Sequence, residues 1–173
     1  MALFPERTQL VGAYALGKAQ RIICLLREAG YQKTLYMHGA MDSMKALYQA
    51  HGVELGPLAP ATSAARNALP GEIVIAPPSA IADKWARRFA DPIPAFASGW
   101  MMVRARARQR HVELPLVVSD HADWDELTGT FTELKPEELW ITHGSEDALL
   151  RWSQLNGITA HALDIIGYAD EDD

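Results

Sequence analysis

Leu114-Pro115-Leu116-Val117-Val118-Ser119-Asp120-His121-Ala122-Asp123-Trp124 opens as a short apolar run with two β-branched residues and closes on small and acidic residues that suit a helix start. It reads as a buried strand giving way to a helix, with His121 at the junction. Leu139-Trp140-Ile141-Thr142-His143-Gly144 repeats the layout about twenty residues later and puts His143 in the same position. In open α/β sheets ligands bind at the carboxyl ends of the strands, so two histidines arriving there separately can converge on one site. Each can equally cap a helix or bond to backbone.

Outward from this block the same alternation continues. Leu10 to Ala15 reads as a strand, and Lys18 to Glu28 as a helix closed by Gly30. Thr34 to Met37 reads as a strand ended by His38-Gly39, and a helix follows from Asp42 to Gln49, stopped near Gly52. Residues 56–71, with Pro57, Pro60 and Pro70, read as a loop. Glu72 to Ala76 is the next expected strand, Ser79 to Arg88 a helix, and Ile93 to Ala97 a further strand. Beyond 114–118 come a helix from Asp123 to Glu133, a strand at 138–142, a helix from Glu146 to Leu155 and a strand at 158–163. Residues 167–173 form an acidic tail expected to be disordered. Strand and helix alternate throughout, the pattern of an α/β fold with a parallel sheet covered by helices.

The 173 residues are 49% hydrophobic, enough for a real core. Met1 to Thr8 lacks a basic segment followed by an apolar run, and no apolar stretch approaches the roughly 20 residues of a membrane span, so a cytoplasmic protein without a membrane partner is expected. Cys24, the single cysteine, lies in an apolar helical pattern and is expected to be a buried free thiol. The net charge of −6 hides a local bias: residues 84–110 carry seven basic residues against Asp91 alone, or +6, which leaves −12 for the remainder. A basic strip on an acidic body suits a protein that grips a phosphate backbone at one place, although a solvated face gives the same pattern. Arg104, Arg106, Arg108 and Arg110 alternate with other residues, so an extended backbone would align them on one side, whereas a helix would spread them.

Gly12-Ala-Tyr-Ala-Leu-Gly17-Lys18-Ala19 comes close to the phosphate loop Gly-x-x-x-x-Gly-Lys-Ser/Thr, but Ala19 replaces the hydroxyl that would hold magnesium, and Tyr14 and Leu16 crowd the middle. A nucleotide triphosphatase is therefore not expected. His38 is a turn or site-rim residue, while His51, His111 and His161 lack acidic or histidine partners at ligand spacing. Trp100 and Trp124 flank the region in sequence and suit either base stacking or packing. Ser119 and His121 lack a Gly-x-Ser-x-Gly elbow, which argues against a serine hydrolase.

Taken together, the Ser119–Trp124 and Thr142–Gly144 blocks, Gly12 to Arg21, Ala76-Pro77-Pro78-Ser79-Ala80 and Ser98-Gly99-Trp100-Met101 resemble the β-CASP branch of the metallo-β-lactamase fold. Within that branch the likeness is to ligase-associated DNA exonucleases and mRNA 3′-end processing factors. The resemblance runs from about Thr8 to Ala160. It implies a partial β-CASP cap over residues 1–111, the carboxyl-terminal part of a metallo-β-lactamase lobe over 112–166, and a tail over 167–173. It implies a zinc-dependent phosphodiesterase acting on DNA or RNA, linked to DNA repair, with His143 as a zinc ligand. The resemblance also implies that His121 assists the leaving group, that Asp123 can orient the His121 ring while Asp120 does likewise or caps the helix, and that Lys18 with Arg104, Arg106 and Arg108 can hold nucleic acid. Such enzymes bind two zinc ions chiefly through His-x-His-x-Asp-His, and no two of the six histidines here lie within five residues of each other. The chain is therefore expected to be the carboxyl-terminal portion of a longer enzyme and inactive alone. Its expected partners are DNA or RNA and an amino-terminal metallo-β-lactamase half, an ATP-dependent DNA ligase or a helicase. The alternative is a non-catalytic nucleic-acid-binding or subunit-like protein.

Overall fold

The computed structural model describes residues 4–142 and 146–163. They form two compact units, divided between His121 and Ala122.

The first unit is built on a six-stranded sheet of order β3-β2-β4-β1-β5-β6 in which every pairing is parallel. Its strands are β1 (Gln9–Gly12), β2 (Leu35–Met37), β3 (Leu58–Pro60), β4 (Ile73–Ala76), β5 (Ile93–Ala97) and β6 (Leu114–Leu116). Helices α1 (Lys18–Glu28), α2 (Asp42–Ala50), α3 (Pro78–Ala82) and α4 (Arg104–Gln109) connect them, together with short 3-10 turns. Successive side chains on a strand point to opposite faces, and the core divides accordingly. Val11, Ile75, Ala95 and Ala97 face one way and are covered by Ala19, Ile22 and Ile23 of α1. Leu10, Val74 and Ala76 face the other way against Ala80 of α3 and Phe89, and on the β5 side Phe96 packs with Met101 and Ala107 of α4. Burial on both faces explains why β1, β4 and β5 read as continuous apolar runs. Each fully buried Leu or Ile contributes about 1.5–3 kcal/mol.

From β1 the chain leaves through α1 towards β2, and from β5 through α4 towards β6 on the opposite side. Because α1 and α4 cover opposite faces, a crevice opens between the carboxyl ends of β1 and β5, the switch point at which doubly wound sheets bind ligands. At the amino edge Arg7 ties three strands together. Its guanidinium donates to both Glu113 carboxylate oxygens at 2.8 and 2.9 Å, to the Asp91 carboxylate and to the Pro92 carbonyl.

The second unit comprises α5 (Trp124–Leu134), β7 (Glu138–Ile141), α6 (Glu146–Leu155) and β8 (Thr159–Ala162), with β7 and β8 paired in parallel. Phe131 of α5 and Trp152 of α6 meet at 6.1 Å between ring centroids. Among the described residues no helix is long and apolar enough to cross a membrane.

Of the two conformations open to the arginine strip, residues 104–109 take the helical one: alanine, arginine and glutamine are strong helix formers and the segment has no β-branched residue. Three features depart from the sequence reading. The expected helix to Arg88 breaks at Asp83, whose extended backbone and side-chain bond to the Lys84 amide start a 3-10 turn. The expected loop at 56–71 contributes β3, a three-residue edge strand whose closing proline needs no ladder donor. Strand β6, expected to begin the second lobe after residue 111, pairs with β5 and lies in the first unit. Cys24 packs partly buried against the first core. The acidic tail at 167–173 lies outside the described residues.

Candidate functional site

At the switch point a cleft of about 700 Å³ is formed by the loops that follow β1, β5 and β6. The first supplies Tyr14 and Lys18, the second Ser98, Gly99 and Trp100, and the third Ser119, Asp120 and His121. Each loop has a local reason for its shape. Gly17 takes φ +76°, a left-handed conformation that costs glycine little, and this starts α1 with Lys18 as its first residue. The buried Ser98 hydroxyl accepts a hydrogen bond from the Trp100 amide at 3.3 Å, turning the chain at the end of β5, and the Ser98 amide donates to the Leu116 carbonyl. The Ser119 hydroxyl accepts from the His121 amide at 3.2 Å, and the Arg21 guanidinium of α1 donates to the Ser119 carbonyl at 2.9 Å. The loop after β5 lies against the loop after β6 at Gly99, where a Cβ would stand in van der Waals contact with Ser119 at 3.4 Å.

Lys18 is the charged floor of this cleft. Its side chain is only 7% exposed, and its ammonium lies 2.9 Å from the Asp120 carboxylate, itself 35% exposed. Lys18 holds the Asp120 carboxyl below its usual range, chiefly through that hydrogen bond. The His121 ring is 88% exposed, with Nε2 3.8 Å from the Asp120 carboxylate, too long for a hydrogen bond but close enough for attraction when the ring is protonated. Lys18 Nζ also lies 5.7 Å from the centre of the Tyr14 ring, and the Arg106 guanidinium stacks over the Trp100 ring at 3.8 Å.

Lys18, Asp120 and His121 therefore share one cleft. Lys18 is buried and paired with Asp120, a partner that neither a lysine held on phosphate nor a lysine in water would have. Asp123 caps α5 in the second unit: its carboxylate accepts from the Glu126 amide at 2.9 Å, and the Glu126 side chain accepts from the Asp123 amide at 3.1 Å, a reciprocal capping box. The two aspartates thus serve differently, Asp123 as the cap and Asp120 as the partner of Lys18. His143, the expected zinc ligand, lies outside the described residues. Among the described residues no three His, Cys, Asp or Glu side chains come together as a metal site, so those residues do not by themselves fit a resident zinc.

Arg104, Arg106 and Arg108 sit on a helix, and Arg106 is the one that reaches the cleft's rim through Trp100. His38 is structural: its Nδ1 accepts from the Ala40 amide at 3.0 Å and its ring meets Trp85 edge-on. Tyr14 and Ser98 were not expected in the site. Ser98 stands just beyond the strand read at 93–97, whereas Tyr14 falls inside the strand read at 10–15, which ends at Gly12 in the structure.

No protein-family model matches the chain. Over 150 residues, 87% of its length, the chain is 25% identical to a probable DNA ligase of Opitutus terrae. It spans 14% of the length of that curated relative, whose name speaks of ligation and not of nuclease activity.

Proposed function

We propose that the chain is the substrate-binding portion of a phosphodiesterase that acts on nucleic-acid ends in DNA metabolism, of the β-CASP metallo-β-lactamase type. The observation that carries this reading is the convergence of Lys18, Asp120 and His121 in one cleft at the switch point of a parallel sheet. The likeness to a protein named as a probable DNA ligase supports the DNA context. In this reading Lys18, at the first turn of α1, holds Asp120 on the floor of the cleft, and the arginines of α4 meet the backbone phosphates beside it. The exposed His121 imidazole is free to rotate towards a leaving oxygen and to give it a proton. Zinc in the complete enzyme would polarise the phosphodiester, and His143 is the residue of this chain assigned to it by the resemblance. Most of the remaining ligands belong to the His-x-His-x-Asp-His loop, which these 173 residues do not contain.

The test is co-expression with an amino-terminal metallo-β-lactamase half that carries this loop. Zinc binding and end-directed hydrolysis should appear in the complex. His121→Ala should lower turnover by on the order of 10²–10⁴ while zinc stays bound, and His143→Ala should lose metal and activity together. A folded complex that binds nucleic acid without hydrolysing it would favour a non-catalytic binding protein. One that cleaves equally well with either substitution would refute both assignments.

A further inference from the structure

Two large aromatic rings stand half in solvent on the walls of the same cleft, Tyr14 at 55% and Trp100 at 53% exposure. Each is associated with a cation, Lys18 at 5.7 Å from the Tyr14 ring centre and Arg106 at 3.8 Å from that of Trp100. The floor between them carries little net charge, because the Lys18 ammonium is already matched by Asp120. A cleft meant for phosphate alone would leave its lysine unpaired and would have no use for exposed aromatic walls. Flat π-faces around a charge-compensated floor suit the flat, uncharged part of a nucleotide. Every base offers such a face, and in a duplex that face is hidden by its neighbours.

We infer that this cleft takes an unpaired nucleobase, held by stacking on Trp100 and Tyr14, and so makes the chain selective for single-stranded ends regardless of sequence. The inference rests on the nucleic-acid reading above and deepens it. The Arg106 guanidinium, 3.8 Å from the centre of the Trp100 ring, restrains the ring through a cation–π contact on one face and leaves one face for a base. Phosphates of the same strand are left to the arginines of α4 outside the cleft, so affinity divides into a stacking part that is insensitive to salt and a backbone part that depends on it.

The experiment is fluorescence anisotropy on the full chain with a labelled short oligothymidylate, an abasic oligomer of the same length and charge, and a blunt duplex. The parent should bind oligothymidylate about tenfold more tightly than the abasic oligomer, the scale of one stacked base, and the blunt duplex most weakly. Trp100→Ala should remove most of that preference without changing the slope of log affinity against log salt. Trp100→Phe, which keeps a ring, should hold affinity within about threefold. Equal binding of the two single strands by the parent overturns the stacking inference and leaves the backbone reading intact, and this comparison decides even if Trp100→Ala fails to fold. Loss of affinity by Trp100→Ala on both strands alike also overturns it. Absence of salt-dependent binding to any of the three would overturn the nucleic-acid reading itself.

Discussion

The ammonium of Lys18 lies 2.9 Å from the carboxylate of Asp120, joining the first turn of α1 to the loop that follows β6. The pair holds two walls of the cleft together. It also settles what the near-match to a phosphate loop amounts to here, because the lysine that would reach a triphosphate is folded inward onto a carboxylate.

The pair is asymmetric in burial, and this fixes the order of its mutants. Asp120→Asn leaves a nearly buried cation without a counter-charge, whereas Lys18→Met leaves a carboxylate that water can reach. Asp120→Asn should therefore be the more destabilising, and the double mutant should show a coupling of about 0.5–3 kcal/mol in urea unfolding. Strictly additive effects would mean that the two groups do not interact in solution.

Acid sensitivity follows from two depressed carboxyls, Asp120 beside Lys18 and Glu113 beside Arg7. A carboxyl lowered in the folded state stabilises at pH values above its unfolded value, 3.8 for Asp120 and 4.5 for Glu113, and that stability is lost as pH falls through the lower folded value. The thermal midpoint of the parent should fall steeply below about pH 4. Glu113→Gln, less stable near neutrality, should show a shallower acid limb, and an unchanged limb would remove Glu113 from the account.

Gly56 sits at φ +66°, and a Cβ there would lie 2.6 Å from Nε of Arg27. That guanidinium donates to the backbone carbonyls of Leu55, Tyr31, Lys33 and Pro57. Gly56→Ala should lower stability by about 1–3 kcal/mol through backbone strain and displacement of Arg27. The shift of the urea midpoint measures it.

The helical form of 104–109 makes its arginines unequal. Arg106→Ala should weaken single-strand binding more than Arg104→Ala or Arg108→Ala, since it alone of the three stacks on Trp100. Replacing all three should reduce the salt slope by about 0.7 for each phosphate that is no longer neutralised. Titration at several salt concentrations separates the two effects, and an unchanged slope would identify the strip as a solvated face.

Asp123 is a capping residue by its hydrogen bonds. Asp123→Ala should destabilise α5 by about 1 kcal/mol, seen as faster hydrogen exchange of its first-turn amides, and Asp123→Ser should restore most of the protection. In the reconstituted complex, loss of turnover by Asp123→Ser with the cap intact would return to Asp123 the orienting role implied by the family resemblance.

Short-range pattern carried much of this molecule. Strands read at 10–15, 72–76, 93–97 and 114–118, separated by helical periodicity, announced a parallel α/β sheet, and their carboxyl ends marked the edge on which the cleft lies. These features are legible because strand, helix and turn preferences act over a few residues. The α4 segment was not, because Arg-Ala alternation fits the period of a strand while its helix propensity and its packing through Ala107 favour the helix. Nor was the place of β6, since its own residues suit a strand in either unit and only the ladder to β5 decides. The union of Lys18 with Asp120 and of Arg106 with Trp100 belongs to the tertiary structure. Strand order and crossover direction bring the loops after β1, β5 and β6 to one crevice, and no local preference of lysine, arginine, tryptophan or aspartate specifies which distant partner waits there.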